Sequence, residues 1–128
     1  MKIEVSIGEV VDKITILQIK KQKISDKFKL KHIEKELDIL EGTVRTSDIK
    51  VPSRFIDELR EINTLLWEAE DTIRESEENN LFDKSFIECA RLDAILNDKR
   101  FLIKNKINNH CKSNIKEQKS YEKLYTTD

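Results

Sequence analysis

Four polar residues, Asp93, Asn97, Arg100 and Lys104, recur at helical spacing through a segment whose other residues are largely apolar. At about 100° per residue, Phe86, Ala90, Ala94 and Phe101 fall on one flank of this strip, and Cys89, Leu92, Leu96, Ile103 and Ile107 on the other. Glu88, Arg91, Asp98, Lys99 and Lys106 take the outward sector, so the strip is expected to point into the protein. A second stripe precedes it: Asn63, Glu70, Arg74 and Glu77 project on the same broad side as Leu59, Leu66 and Ile73. Facing one another across a helical hairpin, the stripes would combine the carboxylates of Glu70, Glu77 and Asp93 with the cations of Arg74, Arg100 and Lys104. Buried groups of this kind cost free energy unless they are paired or used.

Two uses fit these residue types. A salt-bridge and amide lattice would set the register between helices. A polar pocket would place Glu70, Arg74, Asn97, Arg100 and Lys104 around a small anionic ligand such as a nucleotide sugar, phosphate or dicarboxylate, with Asn63, Glu77 and Asp93 as the supporting network. Glu70 or Asp93 would then be available for acid/base work, although the sequence identifies no catalytic residue and leaves open whether the protein is an enzyme. A chorismate-mutase-like site would need the cations without its family motif. A Mg²⁺-dependent pyrophosphohydrolase site would need Glu68, Asp71 and Glu75, which project outward. His32, His110, Cys89 and Cys111 lack metal-ligand spacing, so no metal and no cofactor is expected.

Helices must position these residues, because apolar positions recur at alternating steps of three and four. Ser6-Ile7-Gly8-Glu9 has the pattern of a capping box, opening a helix that runs to about Ile24 with Ile7, Val10, Val11, Ile14, Leu17 and Ile24 on its stripe. Ser25 or Asp26 can cap a second helix whose seam is Leu30, Ile33, Leu37, Leu40 and Val44, ending before or running through Gly42. Residues 45–53 read as a loop. Pro52 and Ser53 then begin a third helix, with Phe55, Leu59, Ile62, Leu66, Ala69 and Ile73 on its seam, that stops near Asn79 and Asn80. Asp83 can cap a fourth helix reaching about Asn109. The spacing thus predicts an all-α, antiparallel up-down bundle of four main helices, as one domain over residues 1–111. A tail over 112–128, containing Ile115, Tyr121, Leu124 and Tyr125, would form a short helix or stay mobile. Helices three and four would extend about 39 Å against about 27 Å for the first two. The surplus apolar surface predicts self-association into a homodimer.

Composition narrows the partners. The chain has 128 residues and a net charge of -1, from 24 Lys plus Arg and 25 Asp plus Glu, so no global attraction to nucleic acid or anionic lipid is expected. The lysines around residues 20–31 have little aromatic interleaving for base stacking. Apolar runs are too short to cross a bilayer and no signal-peptide pattern follows Met1, which points to a cytoplasmic protein.

The stretches IEVSIGEVVDKITILQIK, LLWEAEDTIR and NDKRFLIKNKIN, followed by EQKSYE, resemble an uncharacterised family of small bacterial proteins, a domain of unknown function. The likeness runs from Ile3 to about Tyr121. It implies a compact all-helical protein and a setting near surface-polysaccharide or sugar-transfer functions. It picks out Glu9, Asp12, Lys13, Trp67, Glu70, Asp71, Arg74, Asn97, Asp98, Arg100 and Lys104. Where related sequences commonly carry Glu, this chain has Gln18; were that carboxylate catalytic, activity here would be in question.

Overall fold

The computed structural model describes residues 1–122 and 124; Lys123 and residues 125–128, with Tyr125, lie outside the described residues. Four helices follow in order, α1 Ile7–Lys23, α2 Lys27–Thr46, α3 Ser53–Glu78 and α4 Lys84–His110. Side-chain caps start three of them: Ser6 accepts from the Glu9 amide, Asp26 from the Lys29 amide and Asp83 from the Phe86 amide. Each satisfies an amide that has no partner within the helix. α3 instead begins directly after Pro52, whose missing N–H costs nothing in that position.

The arrangement is an all-α bundle, but its helices do not contribute equally. α1 packs against all three others, whereas α2 packs on α1 alone. Two apolar clusters result. Val11 joins Leu59, Ile103 and Ile107 between α1, α3 and α4, while Ile14 and Leu17 meet Ile33 and Leu37 of α2. α1 is therefore buried on several sides, and among the described residues no helix covers the far side of the long α3–α4 hairpin.

Two left-handed residues shape the helix ends. Asn80 (φ 53°) closes α3, with the Leu81 amide donating to the Ser76 carbonyl at 2.9 Å. Lys112 (φ 56°) closes α4, with the Ser113 amide donating to the Asn108 carbonyl at 2.8 Å. Both follow the reversing pattern that satisfies carbonyls at a helix C-terminus. The second turn matters for the site, because it sends the tail back across α4. The described tail residues form no helix; they lie as an irregular strap. Its bonds include the Ser113 hydroxyl, which accepts from the Ile7 amide and donates to the Ile115 carbonyl.

Candidate functional site

Asp93, near the start of α4, faces Glu70 of α3, whereas Arg100 and Lys104 join a lattice with α1 and with Asn63 of α3. The centre of this lattice is Asp12, 1% exposed. A carboxylate so deep needs full compensation, and it receives it from two helices. The Arg100 guanidinium donates to both carboxylate oxygens, through Nε to Oδ1 at 2.9 Å and through Nη2 to Oδ2. Asn63 of α3 donates to Oδ1 at 2.8 Å and also to the Thr15 hydroxyl at 2.9 Å. Two-pronged pairing of this type fixes angle as well as distance, so Asp12 ties α1, α3 and α4 into one register.

One turn further along α4, Lys104 buries its ammonium among three carboxylates. Its Nζ lies 2.7 Å from Glu9, 2.9 Å from Glu117 of the strap and 3.9 Å from Asp12. Burial works against this charge, but Glu9, Glu117 and Asp12 outweigh it and raise the pKa above that of an ordinary lysine. Arg100 is likewise raised, first by its bond to Asp12. Burial would raise Glu117, but Lys104 and Lys119 together draw it below the usual carboxylate range. Glu9 does not complete the capping box expected of it, because its side chain is spent on Lys104.

Close helix approach makes these contacts possible. Gly8 sits where α1 crosses α4, and a Cβ there would fall 2.6 Å from the Lys104 carbonyl oxygen and 2.9 Å from Asn108 Oδ1. The same approach lets the Gly8 amide donate to Asn108 Oδ1 at 2.7 Å. Asn108 is completely buried, and its Nδ2 has no hydrogen-bond partner among the described residues.

The structure separates the sequence-derived candidates into groups. Asn63, Arg100 and Lys104 join the lattice centred on α1. Glu70 and Asp93 form a second group, with the Asn97 amide donating to the Asp93 carbonyl at 3.0 Å. Partial burial and then Asp93 push the Glu70 carboxyl upward, against the opposing pull of Arg100 and Arg74. Among the described residues, Asp93 Oδ1 is buried without a hydrogen-bond donor. Arg74 and Glu77, one and two turns beyond Glu70 on the same face of α3, are exposed. Asp98, assigned to the outward sector from its spacing, is instead 5% exposed, because the returning strap covers it and the Leu124 amide donates to its carboxylate at 2.7 Å. Gln18 accepts from Arg60 at 2.9 Å; a glutamate there could make the same contact as an ion pair, so a carboxylate needs no catalytic role.

A polar recess of about 200 Å³ opens beside Lys104, lined by Glu9, Asn97, Arg100, Phe101, Lys104, Glu117 and Lys119. Among the described residues, no group of three His, Cys, Asp or Glu side chains is placed to hold a metal ion. Among the same residues, no helix is long and apolar enough to cross a membrane.

An all-helical bundle with an ion-pair lattice between its first and last helices is thus the class of protein in hand. The chain belongs to a family of unknown function, DUF6165, whose family model matches residues 1–128. Neither the comparison with curated proteins nor that with solved structures gives a match.

Asp12, Glu9, Gly8, Asn108 and Glu117 are the site residues that spacing alone did not assign. The first three lie in the SIGEVVD stretch, where capping and apolar periodicity already accounted for the pattern. Asn108 lies four residues beyond Lys104, continuing the strip by one helical turn. Glu117 had no helical signal, since its position depends on the turn at Lys112; only its place at the head of the EQKSYE stretch marked it.

Proposed function

We propose that this protein is a self-associating helical interaction module, acting as an accessory protein rather than through chemistry of its own. The observation that carries this reading is the uncovered outer face of the α3–α4 hairpin. An open groove of about 650 Å³ runs there, with Ile62 and Leu65 of α3 opposite Leu102 of α4. Leu65 remains 41% exposed. Glu58 and Glu61 flank the groove on the α3 side, Lys99 and Lys106 on the α4 side.

This charge pattern favours a second copy as the occupant. A two-fold axis parallel to the hairpin places α3 of one copy over α4 of the other, setting acidic rims against basic ones. An axis across the hairpin would set like charge on like. The footprint is also adequate: about 39 Å of helix by about 20 Å for two adjacent helices gives about 780 Å² per copy, against about 800 Å² for a standard stable interface. The pairing of Arg100 and Lys104 with carboxylates supports a structural role for the inward strip and leaves the outer face to supply the interaction.

Charge reversal tests the arrangement. Glu61→Lys and Lys106→Glu, each made alone, should weaken the dimer about tenfold, and combining them should restore it, as read by sedimentation velocity. Singles that sediment like wild type would contradict this packing.

A further inference from the structure

The recess beside Lys104 has a closed side and an open one. Asp12, Arg100 and Asn63 fill the closed side with mutual hydrogen bonds. On the open side the partner of Lys104 is Glu117, carried by irregular polypeptide rather than by a helix. Glu117 Oε1 is 2.9 Å from Lys104 Nζ, and Oε2 is 3.3 Å from Lys119 Nζ. Two cations therefore grip the two oxygens of one carboxylate, the grip that a free oxyanion would receive. Oε1 is buried and, among the described residues, is held by its ion pair with Lys104 without a well-aligned hydrogen bond. Lys119 also lies 5.9 Å from the centre of the Phe101 ring, so one wall of the recess is aromatic.

We infer that this recess is a binding site for a compact oxyanion, a small carboxylate or a phosphate group, and that Glu117 occupies it as an internal stand-in that the ligand displaces. Lys104 is the anchor. Its side chain is only 5% exposed and its ammonium faces the recess from a rigid helix. Lys119 is the second prong, and Arg100 adds positive potential from behind. The grip selects the ligand class: with Glu117 in place the recess measures about 200 Å³, and the group that takes the place of that one carboxylate between Lys104 and Lys119 is a compact oxyanion, free or carried as a head group. Binding would free the strap from Lys104 and couple occupancy of the recess to the order of the tail. The recess and the proposed dimer groove share no lining residue, although Lys119 and Tyr121 of the strap reach Leu102 at the edge of that groove.

Backbone amide NMR of the full chain, titrated with inorganic phosphate and separately with malonate at constant ionic strength held with NaCl, tests this. In wild type, saturable shifts should appear at Asn97, Phe101 and Lys104 and in the strap around Glu117. Glu117→Ala removes the competitor and should bind at least one of the two anions about tenfold more tightly, and which one it prefers assigns the ligand class. Adding Lys119→Gln to Glu117→Ala should reverse most of that gain without touching the buried Lys104. Non-saturable shifts alone, or equal affinity in wild type and Glu117→Ala, would overturn the inference.

Discussion

Arg100→Met deletes a charge while retaining length and apolar bulk, and the structure sets how much it should cost. Asp12, 1% exposed, would lose two of the N–H donors on its carboxylate and keep Asn63, with Lys104 no closer than 3.9 Å. Breaking one side of a buried ion pair costs about 3–5 kcal/mol. The lower end applies, because the Arg100 side chain is itself 28% exposed and Lys104 can partly neutralise the orphaned carboxylate. For a chain of this size about 3 kcal/mol corresponds to a fall in Tm of roughly 10–15 °C. Asp12→Leu in the Arg100→Met background should recover most of the loss, since an apolar pair replaces an uncompensated charge. Calorimetric unfolding of wild type, both single variants and the double variant closes the cycle and should give a coupling of about 2 kcal/mol or more. An Arg100→Met protein as stable as wild type, or strictly additive variants, would refute the view that this pair holds the helices in register.

Three further substitutions follow from the same contacts. Gly8→Ala, which in an isolated helix would gain about 1 kcal/mol, should instead destabilise by about 1–3 kcal/mol because its Cβ meets the Lys104 carbonyl; urea unfolding gives the sign directly. The raised carboxyl of Glu70 contributes stability that is present below the unfolded-state pKa and lost as pH rises through the folded value. Glu70→Gln should therefore raise the Tm at pH 7 and lose that advantage toward pH 4. Glu117 has the opposite sign, since its pKa is lowered and its contribution disappears as pH falls through the folded value. Glu117→Gln should thus cost up to about 1 kcal/mol at neutral pH and almost nothing in acid, which a pH series of melting curves would show.

The helices were legible because their signals are local. Ser6, Asp26 and Asp83 cap α1, α2 and α4, and Pro52 precedes α3. The inward direction of the α4 strip was equally legible, since Arg100 and Lys104 share the arc that also carries Ile103 and Ile107. Their partners were not. Periodicity places a side chain on a face but does not say which neighbour meets that face, and two polar stripes on consecutive helices favoured pairing α3 with α4. α1 took that place because Gly8 allows its backbone to approach α4, and only the three-dimensional crossing reveals that need. The burial of Asp98 and the position of Glu117 depend on one left-handed residue, Lys112, a residue type with no special preference for that conformation. Helical spacing ends at His110 and carries no information about the path beyond it.

Self-association across the outer face of α3 and α4 is the central proposal, and sedimentation equilibrium of the unmodified chain over a low-micromolar concentration series measures it most directly. The expected result is a species of twice the chain mass that dissociates on dilution and more readily at high salt, because opposed charged rims contribute to its pairing. A single species of monomer mass throughout the series would contradict the proposal and leave the groove lined by Leu65 and Leu102 without the partner assigned to it.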